Sequence, residues 1–367
     1  MRLTIRPTEL ATALSVAGHA VPARTTVPVL SSVLLQARED GVLSIIATDL
    51  DMAIRVSVAA IVEEPGDALL PYRYFFDIIR HISESELTLQ TDPSSFGAVL
   101  RAARGRYEIN GYDPSSYPEL PEMPAGDGVR VPDDQLRLWC RQTVFAAAQD
   151  MSRPALTGVL WEAGGDVLRL VATDGTRLAY REAQATALPQ ERASMVVPAR
   201  AMQQLLRMPA GERELTVRVG PSHAWFEWRT ALLVCRLLAS PYPDYRQVVP
   251  RQYMCRVRME RAAFRGACER VALLSRDGFP VVRLQIGDGH VLVAASSPSV
   301  GRAEEEVEAE IEGKPLDIYF NANLLLDGVQ VLEGEQMLFA ASGPQSVCLV
   351  READSTHYAY YVLPLRQ

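Results

Sequence analysis

Two stretches of this chain are nearly the same sentence. PVLSSVLLQA begins at Pro28 and PALTGVLWEA at Pro154, with proline, leucine, valine, leucine and alanine in matching places. The offset is 154 − 28 = 126 residues, and a third proline opens PVVRLQIGDG at Pro280, another 126 further on. A repeat at this interval rules out a single undivided core. A period of about 125 residues is too long for a solenoid unit and suits a whole domain.

Other landmarks keep the same order. Ala47-Thr48-Asp49 recurs as Ala172-Thr173-Asp174, an offset of 125, and Ala295 holds the place 123 later without the Thr-Asp. Pro71 leads an amphipathic segment, Pro198 does so 127 later, and Asn321 stands 123 beyond that. Each unit opens on apolar residues three and four apart: Leu10 and Leu14, then Leu136, Cys140 and Val144, then Phe264, Cys268 and Val271. That is helical spacing, and Asp133 and Asp134 sit where a helix start favours carboxylates. Alternating strands broken by EDG, GGD and GDGH follow each helix. The expected fold is α+β: three tandem similar domains, antiparallel sheets and two helices per domain. The boundaries fall in the turn-prone YPELPEMPAGDG and SPYPDYRQVVPRQ, giving domains 1–124, 125–249 and 250–367.

Composition narrows the function. The 367 residues exceed one ordinary core, and 48% apolar with 22% charged residues reads as globular. No apolar run is long enough to span a membrane, and MRLTIRPTEL lacks a signal-peptide core, so no membrane partner and a cytoplasmic location are expected. The five cysteines are scattered without CxxC spacing, as expected of reduced thiols. A net charge of −8 disfavours simple adhesion to nucleic acid but leaves room for a local basic face.

Such a face is written in arginine. Arg73 and Arg80 are seven apart on the second helix of the first unit, and Arg200 and Arg207 repeat them 127 later. Arg137 and Arg141 are four apart on the first helix of the second unit, as are Arg261 and Arg265 in the third. The third unit offers Asn323 and Gln330 where the other second helices carry arginine. Carboxylates gather instead in the strand GRAEEEVEAEIEG. A solvated helix face accounts for any one pair. The shared register and the segregation of sign favour helices that together meet phosphates.

The stretches LVATDGTRLA at 170–179, YPDYRQVVP at 242–250, FNANLLLDGVQVL at 320–332 and the ending YAYYVLPLRQ carry a family resemblance over the whole length. The chain resembles the bacterial DNA polymerase III beta subunit, the replicative sliding clamp. The resemblance implies a ring-shaped head-to-tail homodimer, with helices inside and sheets outside, that encircles double-stranded DNA and gives a polymerase its processivity. Twelve helices spaced by ~9 Å make a circle about 35 Å across and leave a hole on the order of 25 Å, whereas six leave only about 7 Å.

The resemblance also implies a partner-peptide pocket between the second and third domains. Its residues are Leu156, Thr173, Gly175, Thr176, Arg177 and Leu178; Pro243, Gln247 and Val248; Leu324, Pro344 and Ser346; and Tyr361, Val362, Leu363, Pro364, Leu365 and Arg366. Thr176 stands where the family often has histidine, and Ala155 where a tyrosine stands in some members. Arg24 and Gln149 match polar positions that touch duplex. Tyr107 and Ile109 would meet Leu273 and Leu274 of a second copy, with Glu304, Glu305 and Glu306 facing arginines there. The implied partners are the replicative polymerase alpha subunit, the clamp loader, translesion polymerases, mismatch repair proteins and ligase, at the nucleoid.

Enzyme readings have less to stand on. Asp49, Asp51 and Asp174 lie in turns, where carboxylates either hold Mg²⁺ or accept backbone hydrogen bonds. The histidines His19, His81, His223, His290 and His357 have no metal-ligand spacing, and no phosphate-binding or nucleophile motif is present. No catalytic site and no cofactor or metal is expected. The alternatives are a three-domain Mg-dependent hydrolase with an unrecognised site, and a scaffold protein that does not bind DNA.

Overall fold

The computed structural model describes residues 1–92, 94–126, 128–164, 167–184, 194–209, 213–275 and 280–366. The GGD turn at 164–166 lies mostly outside the described residues. Among the described residues there are six α-helices: α1 Pro7–Ala17, α2 Tyr72–Ile79, α3 Asp133–Thr143, α4 Ala199–Leu205, α5 Arg261–Ala272 and α6 Ala322–Val329. They alternate with strands in the order the repeats predict.

The helices follow from local chemistry. Pro7 opens α1, and Leu10, Ala13, Leu14 and Ala17 form its buried stripe. α5 buries Phe264, Ala267, Cys268 and Val271 at the same spacing. The Asn321 side chain caps α6 by accepting from the amides of Asn323 (3.0 Å) and Leu324 (3.4 Å).

The chain divides into two compact units, Met1–Leu136 with Arg200–Leu237, and Arg137–Ala199 with Leu238–Gln367. In the first, a five-stranded sheet runs in the spatial order Ile61–Glu64, Arg2–Ile5, Leu87–Thr91, Ala98–Ala102 and Gly105–Ile109. An eight-stranded sheet joins Val129–Pro132, Glu214–Val219, His223–Glu227, Ala231–Arg236, Met52–Ala59, Val42–Thr48, Ser32–Ala37 and Gly66–Pro71. α1 packs on α2 and on the strands Val42–Thr48 and Met52–Ala59.

In the second unit, twelve strands follow one another as Ser194–Pro198, Gly158–Gly164, Val167–Thr173, Arg177–Gln184, Tyr358–Val362, Cys348–Glu352, Gln336–Ala341, Cys255–Glu260, Gly301–Gly313, His290–Ser297, Val281–Gly287 and Leu316–Asn321. All of these pairings are antiparallel. The long strand Gly301–Gly313 serves two neighbours. Its first part pairs with His290–Ser297, and only Ala309–Gly313 pairs with Cys255–Met259. α6 lies so close to the strand Tyr358–Val362 that a Cβ on Gly328 would stand 2.0 Å from the Tyr360 ring, so this contact admits only glycine.

Candidate partner-binding groove

The groove is built around one turn of the second unit. Thr173 ends its strand by donating Oγ1–H to the Arg177 carbonyl (2.5 Å) and accepting from the Gly175 amide (3.0 Å). Asp174 Oδ1 accepts from the Thr176 amide (2.8 Å) and the Arg177 amide (3.1 Å), and Gly175 supplies the left-handed φ of 93°. The Asp174 carboxylate is therefore engaged in turn formation and in an ion pair with Arg177. Asp49 does the same turn-forming work in the first unit, accepting from the Asp51 and Met52 amides.

Arg177 pins the turn to its surroundings. Nε–H donates to Asp174 Oδ2 (2.9 Å), one terminal nitrogen pairs with Asp327 on α6, and the other donates to the Phe145 carbonyl (2.7 Å). The guanidinium also lies over the Phe145 ring at 5.5 Å. Burial opposes its charge, but Tyr360, Asp327 and Asp174 together hold its pKa above the ordinary value. Every nitrogen is engaged, so Arg177 positions the groove rather than offering a free contact. The sequence reading missed its partners Phe145 and Asp327; the latter sits inside the recognised FNANLLLDGVQVL stretch.

The strand Tyr358–Val362 then completes the site. Val362 pairs with Arg177 and Tyr361 with Leu178, and the Leu363 amide extends the ladder to the Thr176 carbonyl (2.9 Å). Alternation along these strands separates the expected residues into two sets. Leu178 and Tyr361 pack with Val171, Tyr242 and Tyr245 on one face. Arg177 and Val362 share the other, where Tyr360 donates its hydroxyl to the Leu324 carbonyl (2.6 Å). Val362 and Leu156 are buried, as Leu178 is.

The remaining expected pocket residues differ in exposure. Gln247 Nε2–H donates to Asp244 (3.3 Å). Val248 is 52% exposed and Leu363 is 40% exposed. Pro243, Pro344, Thr176, Gly175 and Arg366 are exposed, while Thr173, Ser346, Leu324, Pro364 and Leu365 are half-buried. Ser346 lies two residues before Cys348, which pairs with Val362.

The arginine surface is thinner than the sequence suggests. Arg24, Arg73, Arg141, Gln149 and Arg207 are exposed, and Arg137 is half-buried. Arg200, however, pairs with Asp49, and Arg80 pairs with Asp77 (3.1 Å). Arg261 donates to the Gly334 carbonyl (2.7 Å) and Arg265 pairs with Glu269 (2.7 Å), so both arginines of the third repeat's stripe have partners within the chain.

At the expected junction between copies, Leu273 is 79% exposed and Leu274 half-buried. Tyr107 is exposed beside a cleft of about 330 Å³ shared with Tyr74, Asp77, Ile78 and His81. Ile109 is buried in its own sheet, opposite Ala98. Glu304 pairs with Arg302, and Glu305 pairs with Arg270 (2.7 Å) on α5. Those two carboxylates thus have partners within the chain, while Glu306 is exposed.

One α+β unit written three times in tandem, with helices on antiparallel sheets, is the architecture of the DNA-clamp class of fold. Family models agree in three consecutive pieces: the N-terminal domain of the DNA polymerase III beta subunit matches residues 1–121, the central domain 130–244 and the C-terminal domain 246–366. The beta sliding clamp of Pseudomonas aeruginosa is 33% identical over 369 residues and that of Synechococcus elongatus 32% over 375; both alignments cover the whole of this chain and 99–100% of the relative. The crystal structure of the sliding clamp from Bacillus subtilis superposes with a TM-score of 0.95 at 28% identity, covering 100% of this chain and 99% of that one. The DNA polymerase III beta subunit from Pseudomonas aeruginosa gives 0.92 at 32%, with both chains fully covered. The chain belongs to the DNA polymerase III beta subunit family, whose members are processivity factors rather than catalysts.

Proposed function

We propose that two copies of this chain close head to tail around duplex DNA and carry the replicative polymerase alpha subunit along it. The observation that carries the tethering half of this reading is the surroundings of the Thr173–Leu178 turn: Leu363, bonded through its amide to Thr176, is exposed there, and Val248 is exposed three residues after Tyr245, which packs with Leu178. An extended peptide can lay apolar anchors on such a surface. The same groove would serve the clamp loader, translesion polymerases, mismatch repair proteins and ligase in turn. Domain limits at 1–124, 125–249 and 250–367 fit this arrangement, and so does work at the nucleoid.

Closure would place Leu273 and Leu274 of one protomer against the Tyr107 cleft of the other. Two features support it: the size of the exposed Leu273 side chain, and the edge position of the strand Gly105–Ile109 in its sheet. Replacing both leucines with aspartate sets charge in the contact, and light scattering should then report monomer. A dimer that persists at low concentration overturns this closure.

With a net charge of −8, the DNA would be held by topology rather than by adhesion. Protein loaded on circular DNA should resist high salt and be lost after a single restriction cut. Equal retention before and after the cut overturns the ring. Binding of a polymerase-tail peptide should disappear when residues 363–367 are deleted, while the dimer survives.

A further inference from the structure

A second cleft, of about 650 Å³, lies beside the groove in the same unit. Tyr180 and Tyr361 line it, and both also pack against the apolar cluster around Leu178. Tyr361 is the cross-strand partner of Leu178, and Tyr180 follows Leu178 by two positions. By the pleat, these residues share one face, so the cleft continues the groove's own surface along the strands.

Its chemistry differs from that of the groove. Three arginines line it, Arg169, Arg246 and Arg251, and no carboxylate does. Arg169 Nε–H reaches the Tyr180 hydroxyl (3.2 Å) and Glu182 (3.3 Å). Arg246 pairs with Glu162, lies 3.6 Å from Asp244, and stacks over Tyr245 at 4.7 Å. Arg251 is exposed and has no ion pair among the described residues. The Tyr180 and Tyr245 rings stand 6.1 Å apart, which leaves aromatic faces beside guanidinium groups.

We infer that this cleft receives acidic and aromatic residues that flank the anchor residues of a partner peptide. The inference rests on the groove reading above. Carboxylates already compensate Arg169 and Arg246, so the surplus charge is small. That suits one or two peptide carboxylates meeting Arg251 and the outer edges of the other arginines, rather than a run of phosphates. The tyrosines supply an apolar surface that a phosphodiester chain does not need. A partner whose tail carries such residues gains contacts without lengthening its anchor motif, so acidity beside the anchors would rank partners that compete for one groove.

The test uses the full chain and the C-terminal twenty residues of the host's polymerase alpha subunit. The peptide is compared with versions extended at either end by Asp-Phe-Asp-Glu or by Ser-Gly-Ser-Gly. In calorimetry the acidic extension at one end should tighten binding about tenfold over the neutral one. The gain should vanish in an Arg246→Ala/Arg251→Ala variant and in the milder Arg251→Gln, while the unextended peptide binds both as before. Equal affinity for acidic and neutral extensions overturns the inference, as does a gain that survives both variants. Free acetylated Asp-Phe-Asp-Glu, titrated to millimolar concentration, should shift tyrosine ring resonances that are lost in Tyr180→Phe. Shifts without binding of the long peptide would mean that the anchor groove is wrong and the cleft right; no shifts, or displacement by a short oligonucleotide, overturn the cleft.

Discussion

The turn after Thr48 in the first unit and the turn after Thr173 in the second have the same wiring. Thr48 Oγ1 accepts from the Leu50 amide at 3.0 Å, as Thr173 Oγ1 does from Gly175 at 3.0 Å. Thr48 donates to the Met52 carbonyl (3.0 Å) as Thr173 does to Arg177 (2.5 Å). The Arg236 amide reaches the Asp51 carbonyl (2.8 Å), and the Leu363 amide reaches the Thr176 carbonyl (2.9 Å). A connector tyrosine stands beside each threonine. Thr48 donates its amide to the Tyr117 hydroxyl (3.0 Å), and the Tyr242 hydroxyl is buried beside Thr173. Burial raises both phenols, Tyr117 to about 12.

The difference lies in what covers the frame. In the first unit the connector folds Leu120 and Met123 onto the sheet beside Ala53, Trp225 and Val234. In the second, the connector buries Tyr245 but leaves Val248 outside, and the residues after Val362 add no further strand among those described. One copy of the motif is filled by its own chain and the other stays open. Duplication supplies the frame, and a few connector and tail residues decide whether it becomes core or open surface.

Substitutions that swap features between the turns can break this comparison. The largest effect is expected from Arg177→Met, which copies Met52 and leaves Asp174 and Asp327 without their cation. Stability in denaturant should fall by about 2–3 kcal/mol, less than for a fully buried pair because both carboxylates are partly solvated. A loss below about 0.5 kcal/mol would mean that the pin is not needed, as expected of a surface pair.

Removing the turn carboxylates comes next. Asp174→Ala forfeits two backbone amides and the Arg177 pair, a loss of about 2 kcal/mol, whereas Asp49→Ala, whose ion-pair partner Arg200 is exposed, should cost about 1 kcal/mol. Equal losses would show that the turn alone sets the cost. Gly175→Ala should lower stability by about 1 kcal/mol, because the left-handed φ disfavours a Cβ. The atom it would approach, 3.0 Å away, is the flexible end of Arg153. The smallest effect is a gain. Leu50 holds φ 78° with an exposed side chain, so Leu50→Gly should stabilise by about 0.5 kcal/mol after the added freedom of the unfolded chain is counted. A loss instead would show that Leu50 makes contacts worth more than its strain. Thermal or denaturant unfolding followed by tryptophan fluorescence reads all five.

Much of this was legible from residue order. The helix cores Leu10, Leu14, Leu136, Cys140, Phe264 and Cys268 are buried as the three-and-four spacing predicts, because that spacing follows from backbone geometry alone. The Thr-Asp-Gly turn was legible for the same reason: its bonds are local. What was not legible was pairing across the fold. Arg200 with Asp49 and Arg177 with Asp327 join residues 151 and 150 positions apart, and no periodicity announces them. The burial of Ile109 and Val362 was not legible either, because resemblance names a position, while the pleat decides which face the side chain takes.

The strand Tyr358–Val362 has a consequence for biosynthesis. It joins Arg177–Gln184 across 362 − 177 = 185 positions. While the chain is being made, the strand bearing Leu178 and Tyr180 waits with an open edge until Tyr358–Val362 emerges. Closing so long a loop is a late event, and an open apolar edge in the meantime is a template for wrong partners. A message cut short before codon 358 would therefore yield not a weakened clamp but a sticky one, its groove never formed and its sheet exposed for pairing with other nascent chains.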